Sequence, residues 1–347
     1  MNKKLVVLLF VILFVWNILL TIDLQNKQAG NNTDIHITQN NVNGFTTELT
    51  EVSENVIPSM VKIYSGGEIS SGFVYENKDG ITYIMTSAHG LASDEVTITL
   101  ANHLSYEAKV LGKDLKSDIA LLAVSLNFEV NPLNIAGNTQ LNMGEFLLSF
   151  GAYQDQSLPL GVSIALVNEK NVTLEKYDDD MRRYYATYLA MTSTINPGIS
   201  GGPITNMAGE VVAINMMIMK ENEGLLLALP IAEAQIIADH MIDNIPYAKT
   251  EFGIHGKCIK DMENYEKAAL NIALDIANGY YINNLIDDAF AYKIGLRSGD
   301  ILMSVNSVAI YDYQDLLAMQ YKEVDSYHFE VLRSGTKLNL NGVLFND

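Results

Sequence analysis

Short apolar runs separated by turn residues are what most constrain this chain. Val61 to Tyr64, Gly72 to Tyr75, Ile81 to Thr86, Val96 to Leu100, Ala108 to Leu111 and Ile119 to Val124 follow one another at strand length, and each is too short to stand as a helix. A second series runs through Phe146 to Phe150, Val162 to Val167, Tyr185 to Thr192, Pro203 to Asn206, Val211 to Met217 and Leu225 to Ala228. That spacing reads as all-β, with one barrel following another. Helical spacing then enters at Pro230 to Ile245, where Ile231, Ala234, Ile237, Ala238 and Met241 share a face and Pro230 suits a helix start.

Chemistry concentrates in three segments. Asn196-Pro197-Gly198-Ile199-Ser200-Gly201-Gly202-Pro203 crowds glycines around one serine and leaves its hydroxyl and amide accessible. Glycine reaches backbone conformations closed to other residues, so the Gly198 and Ser200 amides can converge where a tetrahedral oxyanion would sit. An ordinary turn has the same composition, and two upstream segments decide against it. Thr86-Ser87-Ala88-His89-Gly90-Leu91 ends one apolar run, and Ser117-Asp118-Ile119-Ala120-Leu121-Leu122 opens another. A serine hydroxyl is a poor nucleophile near neutral pH; it needs an imidazole to take its proton and a carboxylate to hold that imidazole in the right tautomer. His89, Asp118 and Ser200 would supply these catalytic groups, in the chain order of the chymotrypsin-type double β-barrel.

These segments resemble the HtrA/Deg family of trypsin-like serine proteases that carry a C-terminal PDZ domain. Ser71-Gly72-Phe73-Val74 is similar to the family's opening strand, Thr86 to His89 to its histidine motif, Ser117 to Leu122 to its aspartate motif and Asn196 to Pro203 to its serine motif. Gly209 to Asn215 and Ala228-Leu229-Pro230-Ile231 resemble the strand behind the serine loop and the entry to the closing helix. The pattern departs at Ile199 for the usual asparagine, Thr192 for the usual aspartate and Gly90 for the usual valine, which bears on how well the oxyanion loop is formed at rest. The resemblance places the base of the specificity pocket at Thr194 and Ile195, with Asn215 and Met216 on one wall. With no carboxylate there, a small or medium apolar side chain is expected before the cut.

Residues 250–347 resemble a PDZ domain. Phe252-Gly253-Ile254 is similar to the carboxylate-binding loop and the start of the groove strand, and Gly295-Leu296-Arg297-Ser298-Gly299-Asp300-Ile301-Leu302 to the family's Gly-Asp signature. Asp312 can cap a helix through Leu316, Leu317 and Met319 that would form the other groove wall. Phe252, Gly253, Ile254 and Leu316 are therefore expected to receive the C-terminal end of an extended peptide, although Phe252 and Ile254 read equally as core residues.

The rest of the chain bounds its partners. Leu5 to Ile22 is almost uninterrupted apolar sequence behind Lys3 and Lys4, at bilayer length, so residues 1–23 are expected to be a retained transmembrane anchor with the remainder on the extracytoplasmic side. Residues 24–44, rich in Asn, Gln and Thr, read as a flexible linker, 45–246 as the protease domain and 250–347 as the PDZ-like domain. A formal charge of −19 argues against nucleic acid as a partner. No cofactor or metal is called for: Cys258 is the only cysteine, the histidines outside the motif show no ligand spacing, and Asp178-Asp179-Asp180 lacks the spaced oxygens of a calcium loop. The sequence thus predicts a mostly β chain, a chymotrypsin-like double β-barrel, a PDZ-like α+β domain and a transmembrane helix. Its expected function is serine endopeptidase action on unfolded or damaged proteins, in quality control or stress signalling. The family resemblance adds a homotrimer. A proteolytically silent peptide-binding protein is the alternative, and an esterase would need strand-helix alternation that is missing here.

Overall fold

The structure, a computed structural model, describes residues 39–347 apart from 138–140, 156, 179–180, 182, 194–196, 219–224, 323 and 344–347. It divides into two compact units, Met1–Leu49 and Thr50–Asp347. The apolar run at residues 5–22 lies outside the described residues, among which no helix is long and apolar enough to cross a membrane. Helix α1 (Gln39–Val56) corrects one boundary, since residues 39–44 are helical instead of closing a flexible linker. Extending a helix costs little once a later turn is anchored, and Val52 and Val56 are buried in the second unit.

Strands β1 (Met60–Ser65), β2 (Glu68–Lys78), β3 (Ile81–Ser87), β4 (Val96–Leu100), β5 (Ser105–Asp114) and β6 (Ile119–Val124) close into a barrel in the order β1-β2-β3-β6-β5-β4. Strands β7 (Phe146–Gly151), β8 (Gly161–Tyr177), β9 (Arg183–Ser193), β10 (Pro203–Thr205), β11 (Val211–Ile218) and β12 (Leu225–Pro230) close a second in the order β10-β11-β12-β9-β8-β7. Ile63, Val74, Ile84, Ile98 and Leu122 fill the first core, and Leu147, Leu189, Met191, Ile204 and Leu226 the second. Helix α2 (Ile231–Ile242) follows directly and buries Ile231, Ala234, Ile237 and Ala238, the face read from the sequence.

One element is longer than its apolar pattern suggests. The β8–β9 ladder continues to Tyr177↔Arg183, past the barrel, with register shifts near Val167 and Glu169. Polar residues such as Asn168, Glu169 and Lys170 hide this extension from a hydrophobic pattern. Cross-strand contacts hold it instead: the Thr173 and Thr187 hydroxyls lie 3.0 Å apart, and Lys176 Nζ donates to Tyr188 OH at 2.6 Å.

The C-terminal sheet has the order β13-β14-β15-β17-β18, from β13 (Ile254–Cys258), β14 (Tyr280–Leu285), β15 (Ile301–Val305), β17 (Ser326–Arg333) and β18 (Thr336–Val343), with β16 (Val308–Ala309) on β15. Helices α3 (Asn264–Ala269), α4 (Phe290–Lys293) and α5 (Tyr313–Gln320) accompany it. Asp312 caps α5, accepting from the Asp315 N–H at 3.1 Å while the Asp315 carboxylate bonds back, a reciprocal cap. The Asp300 side chain, 1% exposed, is neutralised by Arg333 through bonds of 2.7 and 2.8 Å. Phe252 lies edge-on to Tyr327 and Phe329, with centroids 4.9 and 5.1 Å away.

Candidate active site

Strand register brings the first two groups together. His89 lies just beyond β3 and Asp118 just before β6, and these strands pair so that Ser87 stands opposite Ile119. Asp118 has a left-handed backbone (φ 62°), which an aspartate tolerates better than most residues. The turn lets it hold the Ala88-His89 segment three ways: its carbonyl accepts from the Ala88 N–H at 2.9 Å, Oδ1 accepts from the His89 N–H at 2.8 Å, and Oδ2 meets His89 Nδ1 at 2.6 Å. With Nδ1 donating to the carboxylate, Nε2 keeps a free lone pair, the form a general base needs. The Asp118 bond raises the imidazole pKa above its ordinary 6.5; burial and the Lys176 ammonium act in the opposite direction. His89 is half-exposed while Asp118 is largely covered.

Ser200 sits on the loop before β10, pinned between the barrels. Its carbonyl accepts from the Ser71 N–H of β2 at 2.8 Å, while the Gly201 N–H donates to the Asn215 carbonyl of β11 at 2.8 Å. Ser71 Oγ donates to the Gly198 carbonyl at 2.6 Å and accepts from the Ala152 N–H at 2.7 Å. The contacts explain the glycines: a Cβ on Gly201 (φ 83°) would stand 2.3 Å from the Ser71 carbonyl oxygen, and one on Gly202 2.1 Å from that of Phe150. Gly198 (φ 103°) occupies a backbone region favouring glycine.

The Ser200 hydroxyl donates to the Met216 carbonyl at 3.3 Å, and among the described residues no hydrogen bond joins it to His89. The hydroxyl of the candidate nucleophile is thus engaged by the second barrel.

The residues read as a specificity pocket divide. Thr194 and Ile195 lie outside the described residues. The Asn215 side chain is fully buried and used internally, accepting from Ser149 Oγ at 2.9 Å and donating to the Phe150 carbonyl at 3.0 Å. It braces the barrel and is not an open pocket wall, because every polar atom of a buried amide must find a partner. Met216 is also buried, and its carbonyl holds Ser200. Ile199 packs on the second core, and Thr192 is exposed and paired with Asn168.

In the C-terminal sheet, Phe252 and Leu316 are fully buried, in keeping with the core reading weighed for Phe252. Their side chains serve the aromatic and aliphatic core, although both border a small cavity of about 40 Å³ with Gly253 and Ile254. A cavity of about 770 Å³ runs along β13, between Thr173 and Thr187 on one side and Ile254, Lys257 and Tyr313 on the other. Neither His89 nor Ser200 lines it. The sequence reading missed Ser71 as the brace of the serine loop and Lys176 as the cation near His89. The Ser-Gly pair before Phe73 was the only signal for the first, and a lysine in a polar strand gave none for the second.

Comparison with known proteins follows the same lines. Residues 70–214 match the trypsin-like peptidase domain family. A serine protease HtrA-like protein of Staphylococcus haemolyticus is 29% identical over 78% of this chain and 43% of its own length. A probable periplasmic serine endoprotease DegP-like of Pseudomonas fulva is 29% identical over 86% of this chain and 61% of its own. The chain therefore spans less than two thirds of either relative. The solved HtrA-type protease AlgW with tripeptide superposes with a TM-score of 0.56 at 19% identity, covering 85% of this chain and 95% of that one, a likeness of fold. On these grounds residues 70–214 carry a trypsin-like peptidase domain, the fold is a chymotrypsin-like double β-barrel, and the chain is similar to HtrA-type serine proteases.

Proposed function

We propose that the chain is an extracytoplasmic serine endopeptidase, tethered to the membrane by residues 1–23, that cuts unfolded or damaged proteins after small or medium apolar side chains. The observation that carries the reading is the Asp118–His89 bond, 2.6 Å, in the barrel that also grips the Ser200 loop through Ser71. Ser200 Oγ rotates toward His89 and attacks the scissile carbonyl as its proton passes to Nε2. The oxyanion is received by the Gly198 and Ser200 amides, each such donor contributing about 10²–10³-fold in other serine proteases. His89 returns the proton to the departing amine, leaving an acyl-enzyme that water hydrolyses by the same exchange in reverse. Residues 250–347 act as a PDZ-like domain, in which the edge of β13 and helix α5 receive the C-terminal end of a peptide beside the 770 Å³ cavity. A homotrimer completes the proposal.

The Ser200 hydroxyl's engagement with Met216 favours one second reading, a proteolytically silent protein that binds peptides through its C-terminal sheet domain. Incubating the full-length protein in detergent with an unfolded protein, beside Ser200→Ala, separates the two. Fragments ending in small or medium apolar residues, absent with Ser200→Ala, support the endopeptidase; an intact substrate with a folded enzyme supports the silent binder.

A further inference from the structure

A buried carboxylate ties the C-terminal sheet domain to the aspartate of the candidate triad. Glu233, in the first turn of α2 and 3% exposed, accepts through Oε1 from three donors. They are Tyr321 OH at 2.8 Å, Ser117 Oγ at 3.3 Å and Lys249 Nζ. Ser117 Oγ and Tyr321 OH also lie within hydrogen-bond distance of one another, at 3.2 Å. The donors come from different regions. Tyr321 is the C-cap of α5, Lys249 lies between α2 and β13, and Ser117 is the immediate neighbour of Asp118.

Sequence adjacency gives the cluster its leverage. The Ser117 N–H donates to Asp114 Oδ1 at 2.8 Å, and the carbonyl of Asp118 receives the Ala88 N–H, so the left-handed turn that aims Asp118 is fastened at both ends. Burial, then the Glu233 charge, raises the pKa of the Tyr321 phenol, which keeps its proton to donate. Burial opposes the Lys249 charge, but Glu233, joined by Tyr313 and Glu251, outweighs it and holds the ammonium. Tyr188 and Tyr313 feel the Glu233 charge as well, and both remain neutral. Buried polar groups in a fully bonded set admit few alternative arrangements, which suits them to fixing a turn.

We propose that Glu233, Tyr321 and Ser117 are positioning residues for the Asp118–His89 pair, so that a hydroxyl of the C-terminal sheet domain is a structural part of the active centre. The inference rests on the reading of Asp118 and His89 as catalytic. None of the three touches substrate; they act by holding Asp118 where its two oxygens meet the His89 N–H and Nδ1.

The test uses the full-length protein with Tyr321→Phe, Ser117→Ala and the double variant, each removing hydroxyl oxygen alone and leaving the Glu233–Lys249 pair intact. At unchanged Tm, each single variant should lower kcat on an unfolded protein about three- to tenfold with KM unchanged. The double should be no slower than the slower single, because both act through one chain of bonds. A second readout needs no turnover. In a Ser200→Ala background, the NMR titration of His89 should move down toward 6.5 in both variants, since the Asp118 bond is what raises it. A His89 titration unchanged in both variants, or kcat losses that multiply in the double, would overturn the proposal. Should the unsubstituted protein prove unable to cleave while the variants still shift His89, the endopeptidase reading fails and the positioning role stands.

Discussion

The first barrel presents His89 and Asp118 already joined, whereas the second presents Ser200 on a loop whose hydroxyl rests on the Met216 carbonyl. The contrast lies in what fixes each half. His89 and Asp118 follow from the register of β3 and β6, a ladder whose every rung repeats the same alignment, and a one-residue slip would turn the whole strand inside out. Ser200 depends on a few close contacts between backbones, the grip of Ser71 and two glycines without room for a methyl group. A half built by register resists local perturbation, and a half built by loop contacts can exist in more than one arrangement. The catalytic base is expected to be standing and the nucleophile to be what substrate binding completes.

Substitutions that strike one half at a time test this division. The largest effect is expected from Asp118→Asn, which keeps the shape of the turn but presents an amide to His89 Nδ1. By analogy with other serine proteases kcat should fall about 10⁴-fold, with the Ser200 loop undisturbed. Gly201→Ala strikes the other half, forcing a methyl group toward the Ser71 oxygen from a left-handed backbone. It should destabilise by about 1–3 kcal/mol from overpacking, with further strain from φ, and lower turnover through a displaced serine, while the His89 titration stays in place. A thermal melt and an NMR titration of the same sample separate these outcomes.

The pH dependence sharpens the comparison next. Because His89 must be neutral to take the proton, turnover should fall about tenfold for each pH unit below its raised pKa. Stability runs the other way. A pKa above the ordinary 6.5 means the folded state binds the proton more tightly, so this contribution is fully present below 6.5 and disappears as pH rises through the higher value. Activity and this part of stability should therefore cross in one window, checked by pairing rate profiles with chemical denaturation. Of these loop and triad substitutions Ser71→Ala should have the smallest effect, about tenfold on kcat, because it frees the Gly198 carbonyl and leaves the Ala152 N–H without its partner. Its acid limb should match that of the unsubstituted protein.

Much of this was legible in the sequence where a single periodicity governed. The short runs from Val61 to Val124 and from Phe146 to Ala228 gave the strands of both barrels to within a few residues, β8 excepted, and the helical face of α2 came from the spacing of Ile231, Ala234, Ile237 and Ala238. His89 and Asp118 were read together because a serine nucleophile needs an imidazole and a carboxylate, and the structure brings them within 2.6 Å. What escaped notice depends on partners distant in sequence. The outer part of β8–β9 is held by hydroxyls and a lysine across the ladder, and no apolar alternation records that. Asn215 read as a pocket wall through the family resemblance; only the closed barrel shows its amide spent on Ser149 and Phe150. Phe252 sits in a motif associated with peptide binding, yet its ring is the hub of an aromatic core.

The account stands on His89, Asp118 and Ser200 acting as one catalytic group, and covalent labelling tests that most directly. The folded full-length protein would be treated with a fluorophosphonate and the adduct located by peptide mass spectrometry, beside Ser200→Ala and His89→Ala. A single adduct on Ser200, absent from Ser200→Ala and strongly reduced in His89→Ala, is the expected result. An adduct on another residue, or labelling of Ser200 that is indifferent to His89, would contradict it.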